Sequence, residues 1–431
     1  MRIAERSAAR GWRLSRSPYL VGLALSFLVV APFVVGQNSW AEWGNPYWFL
    51  LEQRDAIRSG GFPSYFLSSE PSGVAYPNHL YYSGATLSVL AYVALLVPPW
   101  AVFAASIVLG YFAGWVGLYW LCSFATRNSR RAVLLASLGL LAPYSVTNLY
   151  GRGAWAEILG SGAALLLVGA FARLLSGRMR GEDIGMSFAV TVAAAAMLTG
   201  THNISLLIAG GMVVLLLPLI PLIDFDTSAS EQWHRLAKAA CVGLAATMLG
   251  SALTAVFFVP NLLGSTKTLI STWSIMSTST PFNSLDIIFS PFLRFPEAQQ
   301  VINVQVYGAR VDVRLFAHTV GLVLLAALPL FLSVRYLSGL RRREAVGLVY
   351  VGMVGLAFLW VMTDTGAWES FPRVVQAIQF PYRLHPYLTC WILVFLGLAW
   401  RYASKLQRRD TWFRLGSISV WYLILAIYQV L

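Results

Sequence analysis

Long apolar runs recur along this chain, each about as long as a membrane-crossing helix, with short clusters of arginine between them. A helix needs roughly 20 apolar residues to cross the hydrocarbon core. About eleven or twelve stretches of the 431-residue chain meet that requirement. Lipid satisfies no backbone N–H or C=O group, so such runs must close their hydrogen bonds internally, as helices. No barrel-like alternation is present. The expected fold class is therefore all-α: a polytopic membrane protein forming a single multi-pass domain over residues 1–431. Composition agrees, since only 11% of residues are charged, against about a quarter in soluble domains.

The formal net charge of +13 would suit a nucleic-acid partner, but its distribution does not. The bases sit in short clusters between apolar runs: Arg2 to Arg16, Arg127/Arg130/Arg131, Arg173/Arg178/Arg180, His234/Arg235/Lys238, Arg341 to Arg343 and Arg401 to Arg414. That is the positive-inside pattern that orients membrane helices, and it argues against nucleic acid. The N-terminus is expected in the cytoplasm, and the run Tyr19 to Gly36 reads as a retained helix rather than a cleaved signal. Cys122, Cys241 and Cys390 stand alone in apolar runs, with neither metal spacing nor a redox pair. The 16 tryptophans read chiefly as interfacial belt.

Three polar excursions fall on the expected outer side: a first loop over 37–79, a long segment over 260–318 and a third loop over 363–386. Within the first, Pro46 to Arg58 mixes rings with charges and reads as an interfacial helix, ended by Gly60-Gly61 and Pro63. The run 80–97 fits the arginine pattern better as a tilted or re-entrant segment than as a full crossing.

Polar residues recur at the outer helix ends. Glu42 and Asp55 are candidate bases. His79, Arg152, Glu157, His202, Asn203, Tyr382 and Arg383 are candidate substrate-binding groups. Arg152 and Glu157, five apart, also read as a structural ion pair. His202 also reads as a helix-end histidine bonded to backbone. A carboxylate can deprotonate an acceptor hydroxyl. Arginine forks bind and neutralise phosphate, stabilising it as a leaving group. Acids at this boundary are compatible with a divalent cation, yet no metal ligand set is specified, and the cofactor stays unknown. No Gly-rich phosphate loop, zinc spacing or nucleophile elbow is present.

The first loop, SWAEWGNPYWFLLEQRDAIRSGGFPSYF…GVAYPNHLYY, resembles that of GT-C glycosyltransferases. It is most similar to a bacterial multi-pass group, the YfhO-like or pyruvoyl-tetrahydropterin-synthase-related proteins. YGRGAWAEILG, the tripeptide Thr201-His202-Asn203, FFVPNLLG and QFPYRL extend the resemblance over most of the chain. The resemblance implies a GT-C-like helical fold and an inverting transfer from a polyprenyl-phosphate sugar donor to a cell-envelope glycan or glycolipid. It places the family's loop acid on Glu42, a glutamate where aspartate is commoner. It also implies a bacterial inner (plasma) membrane, with the active site extracytoplasmic and membrane lipids as partners. The alternative is a flippase or transporter of lipid-linked sugars or lipids, which would place polar groups at mid-membrane depth. An acyltransferase would need a converging His-Asp or serine site, and a membrane scaffold would tolerate loss of Glu42.

Overall fold

A computed structural model describes residues 16–35, 44–61, 64–66, 78–179, 184–224, 229–264, 300–306, 309–315, 342–376, 378 and 381–405. The chain opens with α1 (Arg16–Val34), α2 (Gly44–Arg58), the short α3 (Asn78–Tyr81) and α4 (Gly84–Val93), and the long α5 (Pro99–Thr126). Next come α6 (Ser129–Leu140), α7 (Pro143–Thr147), a π turn (Asn148–Arg152) and α8 (Trp155–Met179). They are followed by α9 (Gly185–Thr201), α10 (Asn203–Leu216), α11 (Leu219–Asp224), α12 (Ala229–Leu253) and α13 (Ala255–Gly264). An antiparallel hairpin pairs β1 (Gln300–Val306) with β2 (Ala309–Leu315), Gln300 opposite Leu315. The described chain ends with α14 (Arg342–Thr363), α15 (Thr365–Ser370), α16 (Arg373–Gln376), a 3-10 turn (Pro381–Leu384) and α17 (His385–Lys405).

The all-α polytopic expectation holds, with one small hairpin among the described residues, inside the 260–318 segment. Among the described residues, six helices are long and apolar enough to cross a membrane. The bent pair Ser129–Leu140 and Tyr144–Tyr150 makes seven if it is one span. Three other apolar helices are shorter. The 80–97 run forms α4, only 10 residues long, which fits the tilted or re-entrant reading and is too short for a crossing at about 1.5 Å per residue. The expected crossings at 320–333 and 415–431 lie outside the described residues.

Local chemistry explains the boundaries. Pro99 starts α5 at its first position, where a missing N–H costs nothing. Asn128 caps α6 by accepting the Arg131 N–H at 3.1 Å. Gly60, at φ 78°, ends α2 as expected, with Gly61 N–H bonded back to the Ala56 carbonyl at 2.9 Å.

The core is built on α5 and α8, which cross at backbone contact. A methyl on Gly162 would stand 2.0 Å from the Gly110 carbonyl oxygen, and one on Gly117 would stand 2.1 Å from that of Leu165. Small residues let helices in lipid approach this closely, where dispersion and packing rather than the hydrophobic effect hold them. α9 and α10 also pack on α8, while α17 lies against α5 and α14. The buried apolar residues form one cluster reaching from Val29 to Tyr402.

Candidate functional site

One end of the bundle collects the N-termini of α8, α10 and α17. There the Glu157 carboxylate, 5% exposed, accepts hydrogen bonds from the Tyr144 hydroxyl and from Arg383 Nε at 3.2 Å. Arg383 Nη1 also donates to the Ile378 carbonyl at 3.0 Å, so the guanidinium is fixed at two of its corners. The ring of His385 stacks on Tyr144 with centroids 5.3 Å apart. Tyr387, also buried, lies within reach of Ser205, Glu157 and Arg383. The FPYRL run places Arg383 here because Pro381 opens a 3-10 turn that hands directly over to α17.

The Thr201-His202-Asn203 tripeptide sits one turn along. Gly160 on α8 carries no side chain, and a methyl there would stand 2.6 Å from His202 Cβ. The His202 backbone is extended, and its Nδ1 accepts the Ser205 N–H at 3.3 Å and lies 2.8 Å from Ser205 Oγ. His202 is thus the N-cap of α10, the backbone-bonded arrangement weighed for it. Asn203 Nδ2 donates to Asn261 Oδ1 at 2.9 Å, and Asn261 Nδ2 donates to the Leu80 carbonyl at 2.9 Å. Three runs distant in sequence, THN, FFVPNLLG and PNHLYY, therefore meet at this end. Ser83, in the left-handed region at φ 57°, secures the join by donating to the Thr201 carbonyl at 2.7 Å. His79, fully buried, presents its ring edge-on to Phe49 at 5.9 Å, and neither ring nitrogen finds a hydrogen-bond partner.

Glu157 forms an ion pair with Arg383, delivered from a distant part of the chain, while the side chain of Arg152 lies outside what the structure describes. The backbone puts Arg152 on the π turn before α8 and Tyr382 on the 3-10 turn before α17. Asp55 is 62% exposed and paired with Arg54 at 3.0 Å and Arg58 at 3.7 Å. Glu42 lies outside the described residues. It precedes α2 by two positions, and the first turn of α2 points toward the site: Tyr47 packs edge-on against Trp100 and Phe103, and Phe103 stacks on Trp155. Asp364 is committed to structure, accepting the Gly366 N–H at 2.8 Å and the Trp360 indole N–H at 2.9 Å. The Ala367 N–H and these donors hold its carboxyl below the usual range. Sequence reasoning passed over Tyr144, Ser205 and Asn261. Tyr144 and Asn261 lie in or beside quoted motifs, but no spacing linked them to partners.

A cavity of about 40 Å³ lies beside this cluster, edged by Tyr111, Tyr144, Ser145, Asn148, Ser161 and Thr389. Water takes roughly 10–15 Å³ on this measure, so the space suits a few waters and excludes a sugar ring. Among the described residues, no three His, Cys, Asp or Glu side chains gather into a metal site.

No protein-family model and no curated protein matches the chain. Among solved structures it is similar to the apo crystal structure of the Archaeoglobus fulgidus oligosaccharyltransferase, with TM-score 0.52 and 12% identity over 98% of this chain. The fold is oligosaccharyltransferase-like. The match spans 56% of that structure's chain, little more than half its length. At this identity the likeness is one of architecture, and it agrees with the GT-C-like helical fold expected from the loop motifs.

Proposed function

We propose that this chain is an inverting GT-C-type glycosyltransferase of the bacterial multi-pass group its loop motifs resemble. It takes a sugar from a polyprenyl-phosphate donor and passes it to a glycan or glycolipid of the cell envelope, at the Glu157–Arg383 end of the bundle. That end faces the extracytoplasmic side of the inner (plasma) membrane. The observation that carries this reading is the guanidinium of Arg383, held by Glu157 and the Ile378 carbonyl at the end of an oligosaccharyltransferase-like bundle. A fixed arginine fork suits an anionic leaving group, because its orientation is settled before the charge develops.

In this scheme Glu42 removes the proton of an acceptor hydroxyl. The freed oxygen attacks the anomeric carbon as the bond from that carbon to the phosphate oxygen breaks. Arg383 neutralises the departing polyprenyl phosphate. Attack from the opposite face in a single displacement inverts the anomeric configuration. Glu157 is the positioning residue for Arg383, since Tyr144 and Arg383 already occupy its oxygens. His202, Asn203, His79, Arg152 and Tyr382 surround donor and acceptor. Asp55 is the reserve base.

The test is transfer of radiolabelled sugar from a panel of polyprenyl phosphates to an envelope lipid extract. Wild type should transfer label, and Glu42→Gln should lose about 100-fold or more, the scale of a general base. Transfer that survives in Glu42→Gln and fails in Asp55→Asn moves the base to Asp55. An absence of transfer with every donor, alongside lipid flipping in vesicles, would replace the enzyme reading with the transporter.

A further inference from the structure

We propose that the buried side chains of Gln53 and His79 form a binding site for the hydroxyl groups of a neutral sugar, closed in this structure by α2. Both residues are fully buried, and neither Gln53 Oε1 nor either ring nitrogen of His79 has a hydrogen-bond partner. They lie against one face of α2. Phe49 and Gln53, one helical turn apart, share that face, and the His79 ring meets Phe49 edge-on at 5.9 Å. Glu52, beside Gln53 in the helix, acts electrostatically on the imidazole. The Gln53 amide is fixed from its other end. Its Nε2 donates to the Ser64 carbonyl at 2.7 Å, which leaves Oε1 on the opposite side of the amide.

Orphaned polar atoms on one helix face are costly, because each gave up water without gaining a partner. A ligand that both donates and accepts recovers that cost. Gln53 Oε1 accepts, and a neutral imidazole donates from one nitrogen and accepts at the other. A hydroxyl complements all of these. An ionised carboxylate or phosphate is chiefly an acceptor and would set its charge against Gln53 Oε1. Burial keeps the imidazole uncharged at neutral pH, and Glu52 nearby repels an anion. Arg54 and Arg58 are engaged with Asp55. Phe49 also meets Tyr82 edge-on at 6.0 Å, and ring surface beside hydroxyl-pairing groups suits a pyranose. Entry requires α2 to move, and α2 is lightly held. Of its 15 residues, Pro46, Phe49, Leu50 and Gln53 are the buried ones. Within the glycosyltransferase reading, on which this assignment rests, the sugar is the acceptor's, because Glu42, the proposed base, precedes α2 by two positions.

The test is saturation-transfer NMR of the full chain, in a detergent that carries no sugar, with a panel of methyl pyranosides. At least one should bind wild type, and inorganic phosphate should not compete with it. Gln53→Leu and His79→Phe should each weaken that binding about ten-fold. Hydrogen exchange over α2 in wild type needs no variant, and it should slow when the glycoside is present. Transfer is not read here, so wild type that binds the glycoside keeps the site even where every donor fails in the transfer assay. The sugar is then a ligand rather than an acceptor. No binding of any glycoside, binding undiminished in both variants, competition by phosphate or unchanged exchange over α2 would overturn the proposal.

Discussion

At the scale of single residues, a buried ion pair and a buried histidine have opposite status. Glu157 and Arg383 satisfy each other, so removing either leaves a charge in a low-dielectric site. Breaking such a pair costs about 3–5 kcal/mol, while replacing both partners by apolar groups can be nearly neutral. Arg383→Met and Glu157→Leu should each lower the thermal midpoint in detergent sharply, and the double variant should be more stable than the sum of the two losses implies. Strict additivity would mean that the two side chains are not coupled. His79 is the contrary case, since neither of its nitrogens has a partner. Burial lowers its pKa from 6.5 to about 4, against a smaller opposing effect of Glu52. The unfolded chain therefore binds a proton between about pH 6.5 and 4 that the folded chain refuses. Stability from this group is complete above 6.5 and is lost as the pH falls toward 4. His79→Phe should abolish that slope and raise the midpoint at pH 5. A drop in activity despite the gain would show that His79 is kept for substrate. Melting curves at pH 5 and pH 7 measure the first effect.

At the scale of elements, the contact of α5 with α8 sets the geometry beneath the site, and its glycines are not interchangeable with others. Gly162→Ala would force a methyl to within 2.0 Å of the Gly110 carbonyl. It should destabilise by about 1–3 kcal/mol, the range for overpacking. Gly210 and Gly211 on α10 meet nothing within 4 Å. Alanine at either should be neutral or stabilising by up to about 1 kcal/mol through helix propensity alone. Equal melting of the Gly162 and Gly210 variants would contradict close α5–α8 packing. The helices themselves were legible in sequence because length and apolarity suffice in lipid, and the end of α2 was legible in Gly60. The crossing point was not, because Gly110, Gly114 and Gly117 gain meaning only when set against Gly162 and Gly169. The hairpin was missed for a different reason. QVINVQV and ARVDVRL are rich in β-branched residues, but an outer segment between crossings was read as loop.

At the scale of the whole molecule, sequence reading recognised that polar groups collect at one end and arginines at the other. It could not pair them. The bundle delivers Arg383 to Glu157 from 226 positions away, a partner that no local spacing announced. Asn203 likewise finds Asn261 58 positions along the chain. Such pairings depend on how helices assemble, which local spacing does not encode. The polarity of the molecule is nevertheless a single quantity that can be measured. If the Glu157–Arg383 end faces outward, α2 lies on the outer surface and the α5–α6 turn lies in the cytoplasm. Ser59 and Arg130 are both exposed and mark these two ends. Cys122 and Cys390 are buried, so replacing exposed Cys241 with alanine provides a quiet background. In intact spheroplasts a membrane-impermeant maleimide should label Ser59→Cys and should label Arg130→Cys only after permeabilisation. The reverse pattern would put the α5–α6 turn outside and the Arg383 site in the cytoplasm, against the positive-inside rule. Labelling of both positions from one side would mean that the bundle is not traversed as its helices suggest, and the two ends could not then serve separate leaflets.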